Sequence, residues 1–221
     1  MTNLTLRLRY YGMYLWLIDE YHKLPPKNDF TLNAEGQYRF IRRGELILAY
    51  FMTNKYGQEL SVVGSNYANR YINDLSEKGF YDIASGADVL NSDTERGVYW
   101  SYKSGALGQY YVGSLIALDL VYIKTDRFFR TVNNGYDLAN AYKDLISEPT
   151  AKLFLGRILE GKLYENDLNK LDNISLNKYL RNTLEGDFYR QMLFSDDGIK
   201  SKTLTSEIPT QRKDTIILFL I

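Results

Sequence analysis

The chain contains no cysteine, so disulfides, thiolate zinc sites and cysteine nucleophiles are excluded. Histidine is nearly as scarce: His22 is the only one, and a single imidazole builds no multi-histidine metal site. There are four prolines, and no apolar run approaches the ~20 residues that a membrane-spanning helix requires. Charge of one sign is not in excess either. Lysine plus arginine and aspartate plus glutamate number 27 each, so no net field draws the whole molecule to nucleic acid or to an anionic membrane. Binding of that kind needs a local patch. The missing thiols fit a reducing interior, and the expected compartment is the cytoplasm, with no membrane association.

What is present is ordinary for a folded protein: 221 residues, 45% of them hydrophobic, with 20 tyrosines and 10 phenylalanines. That supports one large domain or two small ones. Residues 4–21 read as a first helix. Arg7 and Arg9 before Tyr10-Tyr11-Gly12-Met13-Tyr14-Leu15-Trp16-Leu17-Ile18 imitate a signal peptide, but Asp19 and Glu20 follow at once and no small-residue cleavage site does. The segment is expected to be a buried aromatic helix, broken at Pro25 and Pro26. A second helix is predicted over residues 35–54, with Phe40, Leu46, Ile47, Tyr50 and Phe51 as its apolar face. Arg39, Arg42, Arg43 and Glu45 are expected mostly off that face, on a solvated one. A capped helix starts at Ser65 or Asn66 and ends near Gly79, and residues 84–97 read as an irregular connection.

The most informative stretch covers residues 106–145. Leu107, Tyr111, Leu115 and Leu118 recur at helical spacing as an inward stripe, which leaves Gln109, Ser114 and either Tyr110 or Val112 facing outward. Tyr110 and Tyr111 are adjacent, so only one of them is easily buried. Two short strands, residues 122–124 and 128–132, then pair across Thr125-Asp126-Arg127, and Asn133-Asn134-Gly135 starts another helix. From Arg96 to Arg130 five basic residues (Arg96, Lys103, Lys124, Arg127, Arg130) face two acidic ones (Asp119, Asp126).

This succession resembles the ending of many bacterial winged helix-turn-helix proteins, in which a Leu-Gly-Leu-Val-like helix end, a wing and a Thr-x-x-Gly-x-x-Leu-Ala helix start follow in order. The corresponding residues are Leu118-Asp119-Leu120-Val121, then Thr131, Asn133-Asn134-Gly135 and Leu138-Ala139. The resemblance implies a mainly α fold: an N-terminal helical region (1–60), a winged-helix-like domain with a β-hairpin wing (61–148) and a C-terminal helical region (149–221). It also implies DNA or RNA contact, with Lys124, Arg127 and Arg130 of the wing on phosphates, and Lys103, Gln109 and Tyr110 beside them. Specific major-groove reading is not expected, because the helix offers no arginine for guanine. More loosely, Phe40-Ile41-Arg42-Arg43-Gly44-Glu45 and Gly108-Gln109-Tyr110-Tyr111 are similar to segments of uncharacterised prokaryotic proteins found near phage-defence genes.

No catalytic constellation, metal site or cofactor site stands out. Gly156-Arg157-Ile158-Leu159-Glu160-Gly161-Lys162 has P-loop spacing, but Leu163 replaces the magnesium-binding hydroxyl and the segment reads as helix. Glu160-Gly161-Lys162 contains the Glu-x-Lys half of a nuclease motif without the carboxylate strand that would hold its metal. Further helices are predicted over residues 151–163, 165–171 and 175–194, interrupted at Gly186, before a loop over 200–210. The apolar end, residues 215–221, is read either as a buried element that meets a partner surface or as the point where a longer protein is cut. The expected function is a non-enzymatic nucleic-acid-binding or assembly subunit of a bacterial defence or regulatory system; the alternative is a protein-interaction module without nucleic-acid binding.

Overall fold

The structure, a computed structural model, describes residues 7–25, 30–57, 62–75, 79–89 and 98–194. Helix α1 (Arg9–His22) is buried on every side from Arg9 to Ile18, which is why its aromatic run has no polar stripe. It packs chiefly on α6 (Asn134–Asp144) and on α2 (Ala34–Tyr56). The α2 helix is capped by Asn33, whose backbone is extended and whose side-chain oxygen accepts the Gly36 N–H at 2.8 Å.

The connecting elements are short. After α2 come α3 (Ser65–Tyr71), β1 (Tyr81–Asp82) and α4 (Ile83–Ala87). A helical stretch over residues 105–117 contains a π-turn, Leu107–Tyr111, and continues as α5 (Val112–Ala117). The hairpin β2 (Val121–Lys124) and β3 (Arg127–Arg130) follows, then α6, α7 (Glu148–Glu160), β4 (Lys162–Leu163), α8 (Glu165–Leu168) and α9 (Leu184–Phe194). The strand pairs β1–β4 and β2–β3 are both antiparallel, so among the described residues the fold is mainly helical with two two-stranded sheets. One hydrophobic core runs from Tyr10 to Met192 and draws on all three of the sequence regions 1–60, 61–148 and 149–221.

Several predicted boundaries move for local reasons. Within 84–97, residues up to Ala87 are helical because the Asp82 side chain accepts the Ser85 N–H at 3.0 Å. Helix α7 begins earlier than predicted, at Glu148, where Ser147 caps it and Pro149 fits its first turn. Its Gly161 cap is left-handed, so the P-loop-like spacing lies on a helix and its end. The predicted helix over 175–194 is helical only as α9, since Asn182 adopts a left-handed φ of 61° just before it. Residues 200–210 and 215–221 lie outside the described residues.

The largest departure concerns α2. Arg42 and Glu45 are fully buried and Arg43 is 6% exposed, so these charges do not form a solvated face. Arg42 donates to the carbonyls of Ala87 and Tyr102 at 2.6 Å and of Val89 and Trp100 at 2.9 Å. Arg43 holds Asp88 through two bonds and also donates to the Ile158 carbonyl at 2.7 Å. Glu45 accepts from the Tyr14 hydroxyl at 2.7 Å, the Tyr99 hydroxyl, and the main-chain N–H groups of Ala106 at 3.1 Å and Leu107 at 3.0 Å. The carboxylate of one helix thus caps the N-terminus of another. Gly105 adopts a φ of 68°, and a Cβ there would lie 2.5 Å from Glu45 Oε2, so only glycine lets the main chain approach. Burial raises the Glu45 carboxyl above its ordinary value, against the opposing pull of the four bonds it accepts.

Glu45→Ala leaves two phenols and two amides without their acceptor in a dry interior. It is expected to lower stability by about 3 kcal/mol or more, read as a fall in denaturation midpoint. A midpoint near that of the wild type would show that water or a rearranged side chain replaces the carboxylate.

Candidate functional site

The hairpin that follows residues 105–117 is closed by a two-residue loop, Thr125-Asp126, both with positive φ (48° and 58°), the geometry of a type I′ turn. Arg127, expected in the turn, pairs with Lys124 in the ladder. The register sets two faces. Val121 and Phe128, directed inward, are buried; Tyr122, Lys124, Arg127 and Phe129 share the outer face. On that face the Phe129 ring stacks on Tyr122 at 5.4 Å and on His22 at 4.4 Å, and the Arg127 guanidinium lies 5.1 Å from its centre.

The hairpin does not project freely, because side chains of α1 and α2 hold it. The buried Gln37 amide accepts the Phe128 N–H at 2.7 Å and donates to the Phe128 carbonyl at 2.8 Å, as a neighbouring strand would. Tyr38 donates to the Asp126 carbonyl at 2.5 Å, and His22 Nε2 lies 3.0 Å from the Phe128 carbonyl. Asp19 pairs with Arg130 at 2.6 Å. Burial pushes the Asp19 carboxyl up, but bonds from Lys23 and Arg130 outweigh this and hold it below the ordinary carboxylate value. The roles of Gln37 and Asp19 had no signal in the sequence beyond a polar residue among apolar ones.

The six residues expected at a nucleic-acid contact separate into three groups. Arg127 and Arg130 are engaged within the molecule: Arg127 donates to the Leu32 carbonyl at 3.0 Å, and Arg130 is paired with Asp19 and lies 4.5 Å from the Tyr136 ring centre. Gln109 accepts from Trp100 Nε1 at 2.8 Å and the half-buried Tyr110 packs edge-on against Trp100, so this pair belongs to a separate surface around Trp100. Lys103 and Lys124 are exposed cations. Ser114, expected outward, is half-buried and accepts from the Tyr11 hydroxyl at 2.9 Å. The inward stripe is as predicted, since Leu107, Tyr111, Leu115 and Leu118 are all buried.

Beside the hairpin turn lies a cleft of about 630 Å³, lined by Ala34, Glu35, Tyr38, Asp88, Val89, Lys103 and Asp126. Asp88 already pairs with Arg39 and Arg43, and Lys103 alone brings positive charge to the lining. Among the described residues no group of three or more carboxylates or histidines is placed to hold a metal ion, and no helix is long and apolar enough to cross a membrane. No family model, curated protein or solved structure matches the chain.

Half of the exposed large hydrophobic side chains among the described residues lie on or beside the hairpin: Ile116, Tyr122, Ile123, Val132 and Tyr136. The hydrogen bonds also fix which main-chain groups of β2 are used. Thr131 N–H donates to the Leu120 carbonyl at 2.9 Å, so Leu120 and Thr131 form a bonded pair, and so do Tyr122 with Phe129 and Lys124 with Arg127. Phe128 and its opposite residue Ile123 therefore direct their N–H and C=O groups away from each other. Gln37 takes those of Phe128, which closes the outer edge of β3. Among the described residues nothing takes those of Ile123.

Because Asp19 titrates below its unfolded value, the stability it supplies is present above about pH 4 and is lost as pH falls through the lower folded value. Asp19→Asn is expected to lower the melting temperature at neutral pH, with the gap to wild type closing in strong acid. A gap that persists unchanged in acid would separate the Arg130 contact from the carboxylate charge.

Proposed function

We propose that this chain is a non-catalytic assembly subunit that docks a protein partner through the β2–β3 hairpin. The observation that carries this reading is the concentration of exposed Ile116, Tyr122, Ile123, Val132 and Tyr136 on or beside one hairpin whose position is fixed by Gln37, Tyr38 and Asp19. Apolar side chains held in water on a rigid support are what a partner surface buries. Burial of Arg42 and Arg43 removes the positive strip that would have extended from the wing along α2, and the pairing of Arg130 with Asp19 removes a further phosphate contact. The finer description of residues 61–148 as a winged-helix-like domain rests on the order helix, hairpin, helix within it, and the fold supports it to that extent.

A second reading, contact with single-stranded nucleic acid, draws on the stacked Tyr122, Phe129 and His22 with Lys124 and Arg127 beside them. Stacking on such rings tolerates any base sequence. Salt separates the two readings, because neutralising phosphates releases counterions and protein docking through apolar side chains does not.

A photo-reactive amino acid placed at position 122 in cells is expected to cross-link to protein. The same probe at Tyr179, 74% exposed and distant in sequence, is expected to give no defined product. Cross-linking to nucleic acid at 122, together with affinity for an oligonucleotide that falls steeply with salt, would replace the first reading by the second.

A further inference from the structure

We infer that the open edge of β2 pairs with the β2 edge of a second copy of this chain, antiparallel about a two-fold axis, to make a continuous four-stranded sheet. This rests on the hairpin being the contact surface and names one occupant of it. The main-chain N–H and C=O of Ile123 point away from β3, while Tyr122 and Ile123 are about half exposed and Lys124 is exposed. The edge of β3 is closed by Gln37, so pairing is confined to one side of the hairpin. An exposed strand edge is a template for another strand, and Val121-Tyr122-Ile123-Lys124 has the β-branched and aromatic residues that favour one.

Charge permits a second copy, and the strand's own residues are self-complementary in one register. The chain has a formal net charge of +0, so no long-range repulsion opposes two copies meeting. Outward-facing residues must oppose outward-facing residues for the edges to bond. Setting Ile123 opposite its own counterpart meets that condition and puts each Lys124 across from the Tyr122 ring of the other copy, a cation–π arrangement. Setting Lys124 opposite Lys124 would place like charges across from each other and shift the pairing into the Thr125-Asp126 turn. In the chosen register each Ile123 N–H donates to the other Ile123 carbonyl. So short an edge buries less than the ~1,200 Å² of a stable interface, so the dimer is weak and forms with rising concentration.

The purified 221-residue chain tests this by sedimentation over a range of concentrations. Wild type is expected to pass from monomer to dimer. Ile123→Pro removes both inter-copy donors while leaving every bond within the hairpin, and is expected to weaken dimerisation by about tenfold to a hundredfold. Since the chain has no cysteine, Ile123→Cys carries a unique thiol. Bonded antiparallel pairs hold their Cα atoms about 5.5 Å apart, within disulfide range, so mild oxidation is expected to give a covalent dimer far faster than with Tyr179→Cys. A wild-type chain that stays monomeric at all concentrations, a dimer undiminished by Ile123→Pro, or equal cross-linking of the two cysteine variants would each overturn the inference. Purified monomers whose position 122 still cross-links to another protein in cells would overturn self-pairing alone and leave hairpin docking intact.

Discussion

A carboxylate sealed in an apolar interior must be met by donors, and Glu45 is met by four: two phenols and the amides of Ala106 and Leu107 in the first turn of the helical stretch that leads to the hairpin. The rest of the architecture follows from that arrangement. With its N-terminus anchored on α2, the stretch over 105–117 has a fixed direction, and the hairpin that leaves its other end returns along α1 and α2. Gln37, two turns earlier on α2, meets Phe128 there. Arg42, between them, collects four carbonyls from segments that have little regular structure of their own. The α2 helix thus works less as an apolar stripe than as a row of polar side chains satisfying other segments' main chain.

This explains which features were legible in the sequence. The inward stripe Leu107, Tyr111, Leu115 and Leu118, the hairpin and the helix after Gly135 follow from periodicity and turn chemistry, which are local. The burial of Arg42, Arg43 and Glu45 is not local. Amphipathic patterning assigns charges to water, and it reverses only where another segment supplies carbonyls or amides at the right distance, a fact of tertiary structure. The same limit applied to the hairpin. Lys124, Arg127 and Arg130 look equivalent in sequence, but Asp19 and the Leu32 carbonyl lie 111 and 95 residues away from their partners, so which cation remains exposed could not be read from spacing.

The hairpin joins the structural account to the functional one. Its inner face, one edge and the Phe129 ring stacked on His22 hold it against α1 and α2; Tyr122, Lys124 and the other edge face solvent. A surface held rigidly while its apolar side chains remain in water loses little conformational entropy on meeting a partner, which favours docking over local rearrangement. The near-balance of charge around it, with Asp126 and Glu35 close to Lys103, gives such docking little dependence on salt.

The central claim, that α2 side chains fix the hairpin-bearing segment as firmly as the core itself, is tested most directly by native-state hydrogen exchange. Amides in the first turn of a helix ordinarily exchange fast because they have no intrahelical acceptor. The amides of Ala106 and Leu107, bonded to Glu45, and of Phe128, bonded to Gln37, are predicted to exchange only with the global unfolding that releases Leu46 and Ile47 in α2. Rapid exchange of these three amides while Leu46 and Ile47 remain protected would contradict it.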